Sequence, residues 1–358
     1  MIRHSTFHIL AIALALGLPL IAGDSQAADR SCHGIDDPNQ RLACYDRVTG
    51  RPDRPVEAAS ANPTADTSAP SDRPEPRDPL PQRHHPDGAR RVAMAEHWET
   101  DDAHHGGLFQ VRAHEPVYAL PVRYSTHPNR LPRSPAPGRT LAVPLDLDPI
   151  EAKFQISLKT KALDNILGAN LDLWFGYTQL ANWQAYNGIE SSPFRETNYR
   201  PEAFLTFGPN LELFGGWRWQ VLNLGLIHES NGRSQPLSRS WNRIYAQFGL
   251  ENGNLSIYAR PWWRLDETAA DDDNPDIRRF MGRHDLRLVY ARNGHDFALL
   301  SRYSFDGGRG SIQADWHFPL LGQLKGYLQL TSGYGETLID YNHKQTTLGV
   351  GVSLVEAR

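Results

Sequence analysis

Between residues 117 and 354 the chain is a succession of short segments in which apolar and polar residues alternate. Successive side chains of a strand point to opposite faces, so each segment reads as a β-strand with one greasy face. Strands are expected at 117–125, 152–161, 171–182, 198–207, 217–230, 240–251, 255–265, 279–292, 296–305, 311–318, 325–334 and 346–354. No segment of helical period competes with these twelve. Their connections alternate in length: those near 163–169, 208–216, 252–254, 293–295 and 320–323 are tight or moderate, whereas 126–151, 183–197, 231–239, 266–278, 306–310 and 335–345 are mostly longer and more polar. An even strand number with short turns on one side and long loops on the other is the pattern of an outer-membrane barrel. A soluble β-sandwich or barrel would need its apolar face inside. Here the opposite face carries Lys, Arg, Gln, Tyr and Trp, which suits a packed polar lumen; inward Arg218, Arg243, Tyr245, Arg260 and Trp262 suggest a plugged one. The expected fold is all-β, a twelve-stranded antiparallel transmembrane β-barrel over 111–358. Tyr177, Trp183, Trp241, Trp262, Trp263, Tyr327 and Tyr334 suit interface girdles, though core packing accounts for some equally well.

The N-terminal third has a different texture. Met1–Ala27 reads as a secretory signal, with Arg3 and His4 before an apolar core and Ser25-Gln26-Ala27 at the end; an uncleaved anchor is the other reading. Cys32 and Cys44 are the two cysteines of the chain. In an oxidising compartment a local disulfide over a small segment, 28–50, is expected, with free thiols as the alternative. Residues 51–110 read as a disordered linker, with nine prolines between Pro52 and Pro86 and almost no large apolar residue. His84-His85 and His104-His105 lie near acids and fit either a chelating tract or a solvated linker. The net charge of −4 offers no basic surface, so no nucleic-acid partner is expected.

The chemistry concentrates in 222–250, LNLGLIHESNGRSQPLSRSWNRIYAQFGL. Leu222, Leu224, Leu226, His228 and Ser230 share one strand face; Asn242, Ile244, Ala246, Phe248 and Leu250 share a face of the next. Paired as a hairpin, the two segments bring His228, Ser230 and Asn242 together on the apolar side. Serine supplies a nucleophile, histidine a base, and an amide carbonyl can hold the imidazole in one tautomer. Glu229 turns to the other face. Gly232 lets the backbone aim an N–H at a developing oxyanion, and the oxygens of loop 231–238 suit calcium. An ordinary polar hairpin loop at headgroup level explains the same residues. Gln179 lies on the apolar face of its strand; a second protomer or water can satisfy its amide.

Several segments resemble the outer membrane phospholipase A family of Gram-negative bacteria: Gly176-Tyr-Thr-Gln179, Ser191-Ser-Pro-Phe-Arg-Glu-Thr-Asn-Tyr199, His228-Glu-Ser-Asn-Gly-Arg-Ser234, Ser238-Arg-Ser-Trp-Asn-Arg243, Asp272-Asp-Asn-Pro-Asp276 and Ser332-Gly-Tyr-Gly-Glu-Thr-Leu-Ile-Asp-Tyr341. The resemblance implies a twelve-stranded barrel that hydrolyses phospholipid acyl esters at the A1 and A2 positions, lysophospholipids included, with calcium as cofactor and homodimerisation as activator. It implies Ser230 as nucleophile, His228 as base, Asn242 as the residue orienting His228, and the Gly232 amide at the oxyanion. Calcium would be held by the Arg233 carbonyl and the Ser238 hydroxyl, with Ser192 arriving from the partner protomer and Asp273 tuning the site. Gln179 matches the interfacial glutamine. Gln235 stands where relatives can carry an acid, and the chain finishes Glu356-Ala-Arg358 where outer-membrane barrels usually finish on an aromatic. Residues 28 to about 110 have no counterpart in the compact members. The expected location is the outer membrane, with the site facing the outer leaflet and the N-terminal extension periplasmic. The competing class is a non-catalytic pore or adhesin barrel.

Overall fold

A computed structural model describes residues 94–355 apart from 102, 169, 190 and 192, together with 35, 37, 40, 41 and 44. The expected signal segment, Cys32, Ser192 and most of the expected linker lie outside the described residues. Cys44 is disulfide-bonded. The chain divides into two units, Met1–Pro79 and Leu80–Arg358, and the second contains the elements described below.

Among the described residues fourteen strands follow one another: β1 (Val111–Ala113), β2 (Val117–Ser125), β3 (Ile150–Leu163), β4 (Leu171–Trp183), β5 (Phe194–Phe207), β6 (Leu211–Glu212), β7 (Arg218–Ser230), β8 (Ser240–Asn252), β9 (Leu255–Arg264), β10 (His284–Arg292), β11 (His295–Ser304), β12 (Arg309–Leu321), β13 (Leu324–Gly333) and β14 (Gln345–Val355). Two are supplementary. β1 pairs with β3 beyond the end of β2, Val111 opposite Thr160, and β6 pairs with β7 beyond the end of β5, Leu211 opposite Trp219. Pro116, which has no N–H to give the ladder, separates β1 from β2, and its carbonyl accepts from Gln155 Nε2 at 2.8 Å. The other twelve strands run antiparallel and close through β3–β4, making the twelve-stranded barrel expected from the alternation. Closure leaves no edge whose backbone groups would face hydrocarbon unpaired.

The faces sort as parity requires. Leu224, Leu226 and Ile244 point outward and are 50, 54 and 42 % exposed, whereas Trp241, Tyr245 and Trp262 point inward and are buried. Charges inside the wall are paired: Arg260 with Asp285 at 2.8 Å, Arg243 with Glu229 at 2.6 Å, Lys153 with Glu336 at 3.2 Å. Desolvated charges persist in a lumen only with such partners. Arg218 is an exception, exposed at the rim and bonded to Glu212 at 2.9 Å. A bulge between Trp219 and Val221 shifts the register, and Val221 is buried in the lumen. Trp241, Trp262 and Tyr327 are buried rather than parts of a girdle; Tyr177, Trp183 and Trp263 are exposed.

Two short helices correct the strand-only reading. The strand expected at 279–292 begins only at His284, because Arg278–Met281 forms a helical turn, α2. Ile277 and Met281 lie four residues apart, hence on one helix face, and both are buried against the interior cluster. Gly282, at φ 75°, ends the turn. The linker expected over 51–110 also stops too late. Met94–Trp98 is a helix, α1, whose Met94 and Trp98 pack with Trp174, Phe204 and Val221 inside the barrel. Lys159 Nζ lies 3.8 Å from the Trp98 ring centroid and donates to the His97 carbonyl at 2.7 Å. Lys161 Nζ is 3.0 Å from Glu99 and 2.8 Å from Asp172. Five residues are too few for periodicity to reveal; what folds them is the apolar and cationic surface of strands far away in sequence. Trp98→Ala should cost about 3–5 kcal/mol of barrel stability, read as a lower urea midpoint for the folded, heat-modifiable form in detergent.

Candidate active site

β7 and β8 meet in the register His228 opposite Asn242 and Ser230 opposite Ser240. His228 Nδ1 and Asn242 Oδ1 are 2.8 Å apart. As the amide oxygen can only accept, the imidazole donates from Nδ1, which leaves Nε2 as the basic nitrogen. Ser230 lies two residues along on the same outward face. Among the described residues no hydrogen bond joins Ser230 to His228; such bonds are often long before substrate binds. The three side chains stand on a wall of Leu224, Leu226 and Ile244, open to the surroundings of the barrel. Glu229 takes no part. It accepts from Trp241 Nε1 at 3.0 Å and from Arg243 Nη2 at 2.6 Å on the inner face.

The loop after β7 is braced by Asn231. Its Oδ1 accepts from the Arg233 and Arg239 amides at 3.3 and 3.0 Å, and its Nδ2 donates to the Leu237 carbonyl at 2.8 Å. Gly232 sits at φ 63°, where a Cβ would lie 3.0 Å from Tyr199 Cε2. The left-handed conformation and the ring together require glycine there. Arg233 reaches back through Nη1 to the Arg195 carbonyl at 2.6 Å.

The carbonyl of Arg233, the hydroxyl of Ser238 and the carboxylate of Asp273 are hard oxygen donors of the type calcium takes. Ser238 Oγ donates to Asp273 Oδ2 at 2.6 Å, so hydroxyl and carboxylate are already neighbours. The donor set therefore fits. Two guanidinium groups oppose a cation: Arg139, in the β2–β3 loop, sets its Nε 2.6 Å from Asp273 Oδ1, which is buried, and Arg239 Nη1 donates to the Ser238 carbonyl at 2.7 Å. Turned to accept, the Gln235 amide also receives Arg139 Nη1 at 2.6 Å. Asp273 is thus a buried, ion-paired carboxylate in this state.

Gln179 is not left without a partner in a single chain, since Tyr177 OH donates to its Oε1 at 3.0 Å. In register it stands opposite Tyr199, which stands opposite Ser230. The candidate interface residue and the candidate nucleophile therefore share one band of the outer wall.

Alternation does not reveal two participants. Asn231, the brace, is one. The other is Glu267, in the loop after β9, whose Oε1 accepts from Asn242 Nδ2 at 2.9 Å. Glu267 lies 25 residues from Asn242 in a polar loop, where neither period nor motif marks it.

The phospholipase A1 family model matches residues 94–354. The chain belongs to the phospholipase A1 family. It is 45 % identical over 251 residues to a putative phospholipase A1 of Neisseria meningitidis serogroup B, covering 69 % of this chain and 65 % of that protein, a little under two thirds of its length. It is 44 % identical over 204 residues to the phospholipase A1 of Escherichia coli K12, covering 57 and 69 %. Among solved structures it resembles the calcium-bound dimer of Salmonella typhi outer membrane phospholipase, with TM-score 0.64 and 37 % identity, covering 70 % of this chain and 94 % of that one. The outer membrane phospholipase A of Escherichia coli is similar at TM-score 0.63, with the same identity and coverage, and is also known as an active-site mutant in which an asparagine is replaced by alanine. The family match starts at Met94, where the described barrel unit starts, so the family unit includes α1. Fold and relatives together place this chain among outer-membrane barrels.

Gly232→Ala keeps the backbone N–H but strains its positive φ and crowds Tyr199, so if that N–H is the oxyanion donor its re-aiming should lower turnover, by up to the about 10²-fold usual for losing one such donor. The same change should move the urea midpoint only as far as a cost of about 1–2 kcal/mol for positive φ requires. Parallel kinetics and denaturation check both.

Proposed function

We propose that the chain hydrolyses acyl esters of phospholipids, and of lysophospholipids, at the outer wall of its barrel. The observation that carries this reading is the 2.8 Å contact between His228 Nδ1 and Asn242 Oδ1 beside Ser230, on a surface built to meet acyl chains. A substrate whose chains lie along Leu224, Leu226 and Ile244 presents its ester at the level of Ser230. Ser230 Oγ attacks the ester carbonyl carbon while His228 Nε2 takes the hydroxyl proton. Asn242 holds the imidazole so that Nε2 points to the reaction. The Gly232 N–H donates to the oxyanion. Collapse expels the glycerol alkoxide, which takes the proton back from His228. Water, deprotonated in turn by His228, then cleaves the acyl-serine to fatty acid and restores Ser230.

Calcium would be held by the Arg233 carbonyl and the Ser238 hydroxyl, with Asp273 beside them and Ser192 of the partner subunit completing the set. Bound there, it would supply positive charge to offset the oxyanion. Dimerisation through the face that carries Gln179 would join two such sites and enclose acyl chains between two walls. The long loops, and hence the site, would face the outer leaflet, with the N-terminal extension in the periplasm. The asparagine in the active site of the Escherichia coli relative and the calcium in the Salmonella dimer support this reading. A pore is not favoured: Trp98, Trp174 and Tyr245 pack the lumen, and two cavities lined by its charged residues measure about 40 and 80 Å³.

Ser230→Ala should lower fatty-acid release from mixed micelles by at least about 10³-fold while leaving a heat-modifiable barrel. Retained release in that variant defeats the mechanism. Because Arg139 already neutralises Asp273, calcium has to compete with a guanidinium. Arg139→Gln should therefore bind calcium several-fold more tightly than the unaltered chain, about tenfold if one unit of local charge is released, as measured by titration calorimetry. Equal or weaker binding would show that Arg139 does not oppose the ion.

A further inference from the structure

The hydrogen bonds behind His228 do not stop at asparagine. We propose that Glu267 is a positioning residue of the hydrolytic site: it holds Asn242 in the one amide orientation that His228 can use, and it supplies the negative charge that asparagine lacks. The proposal rests on the hydrolytic reading given above.

The two ends of an amide are nearly equal in shape, so shape alone does not choose between an orientation and its flip. In the observed orientation Asn242 Oδ1 faces His228 Nδ1 at 2.8 Å and Nδ2 faces Glu267 Oε1 at 2.9 Å. Flipped, the NH₂ would meet the imidazole N–H and the carbonyl oxygen would meet the carboxylate. Both contacts would then be repulsive. Glu267 thus selects the amide orientation, and through it the tautomer that leaves Nε2 free for the Ser230 proton.

Glu267 is itself held. Its Oε2 accepts from Arg264 Nη2 at 3.2 Å; Arg264 also pairs with Asp272 at 2.5 Å and donates to the Asn274 carbonyl at 3.1 Å. The Leu265 amide donates to the Asn242 carbonyl at 2.8 Å, so the loop that carries Glu267 leaves the barrel beside Asn242. Arg264 and Asp272 are the charged groups that face Glu267, and His228 faces it through Asn242. One guanidinium shared by two carboxylates leaves negative charge at the far end of the array. When His228 takes the serine proton, that charge stabilises the imidazolium through one polarised amide. Burial raises the Glu267 carboxyl above its ordinary range, Arg264 opposes the rise and Asp272 adds to it.

The test is acyl release from phosphatidylcholine in detergent mixed micelles with calcium, as kcat and KM across pH. The proteins are the unaltered chain, Ser230→Ala, Glu267→Ala, Glu267→Gln, Asn242→Asp and the double variant Asn242→Asp/Glu267→Gln, each checked for the heat-modifiable fold. Glu267→Ala should lower kcat about tenfold, the rate equivalent of one hydrogen bond to a charged group, with KM little changed. The near-isosteric Glu267→Gln should move the acid limb of the kcat/KM profile to lower pH, because the imidazolium loses a favourable charge. A merely structural loss would not move that limb. Asn242→Asp alone should be slow, since two carboxylates would meet. Joined to Glu267→Gln it should recover rate over both single variants, because charge and donor have changed places. Unchanged kcat and pH profile in both Glu267 variants would overturn the proposal, as would a double variant no faster than its slower parent. Failure of the hydrolytic reading looks different: the unaltered chain would release no fatty acid, or Ser230→Ala would release it as fast.

Discussion

Everything in this structure depends on one closed ladder of backbone hydrogen bonds. A strand in hydrocarbon has no water to satisfy its N–H and C=O groups, so each must pair with a neighbouring strand. β3 meets β4 in register from Ala152 opposite Trp183 to Leu163 opposite Leu173, and the twelve long strands thereby close on themselves. Closure inverts the usual relation of surface to core. Leucine and isoleucine go outside, while tryptophan, tyrosine and paired charges go inside. The lumen then has to be filled and neutralised, which α1, the interior aromatics and pairs such as Arg260–Asp285 accomplish.

The placement of the chemistry follows. A hydrolase that works in a cavity has to draw its lipid out of the bilayer, at the cost of exposing acyl chains to water. In the proposed mechanism, with His228, Ser230 and Asn242 on the outer wall, the chains would stay where they already lie and only the ester would have to arrive. The inner wall has a different task. Glu229, one residue from both His228 and Ser230, binds Trp241 and Arg243 and stiffens the hairpin from behind. Parity keeps the proposed reacting groups and the bracing groups one residue apart without mixing them.

The loops make this placement specific to the chain. Asn231 closes one loop around Gly232 and Arg233. The loop after β9 leans back through Leu265 and Glu267 onto Asn242. The β2–β3 loop sends Arg139 onto Asp273. The first is local to its loop and the other two are not, and each sets the orientation or the charge of a group that the strands merely present. The site therefore has a rigid, strand-borne part and a loop-borne part that adjusts it.

How much could be read in advance follows from the range of each interaction. The two-residue period is local, so sequence by itself determined the strands, their faces, the alternation of turns and loops, and the meeting of His228, Ser230 and Asn242. Interactions without a period stayed hidden: α1 in a stretch that reads as linker, α2 where a strand was expected, and the bulge beside Gln220. Glu267 and Arg139 belong to the same class, being loop residues whose partners lie on distant strands. Only the tertiary structure decided that Asn242 is backed by a carboxylate and that Asp273 is already neutralised. The physical reason is that a strand's alternation is written in neighbouring residues, whereas the partner of a loop charge is chosen by which strands the closed barrel brings beside it.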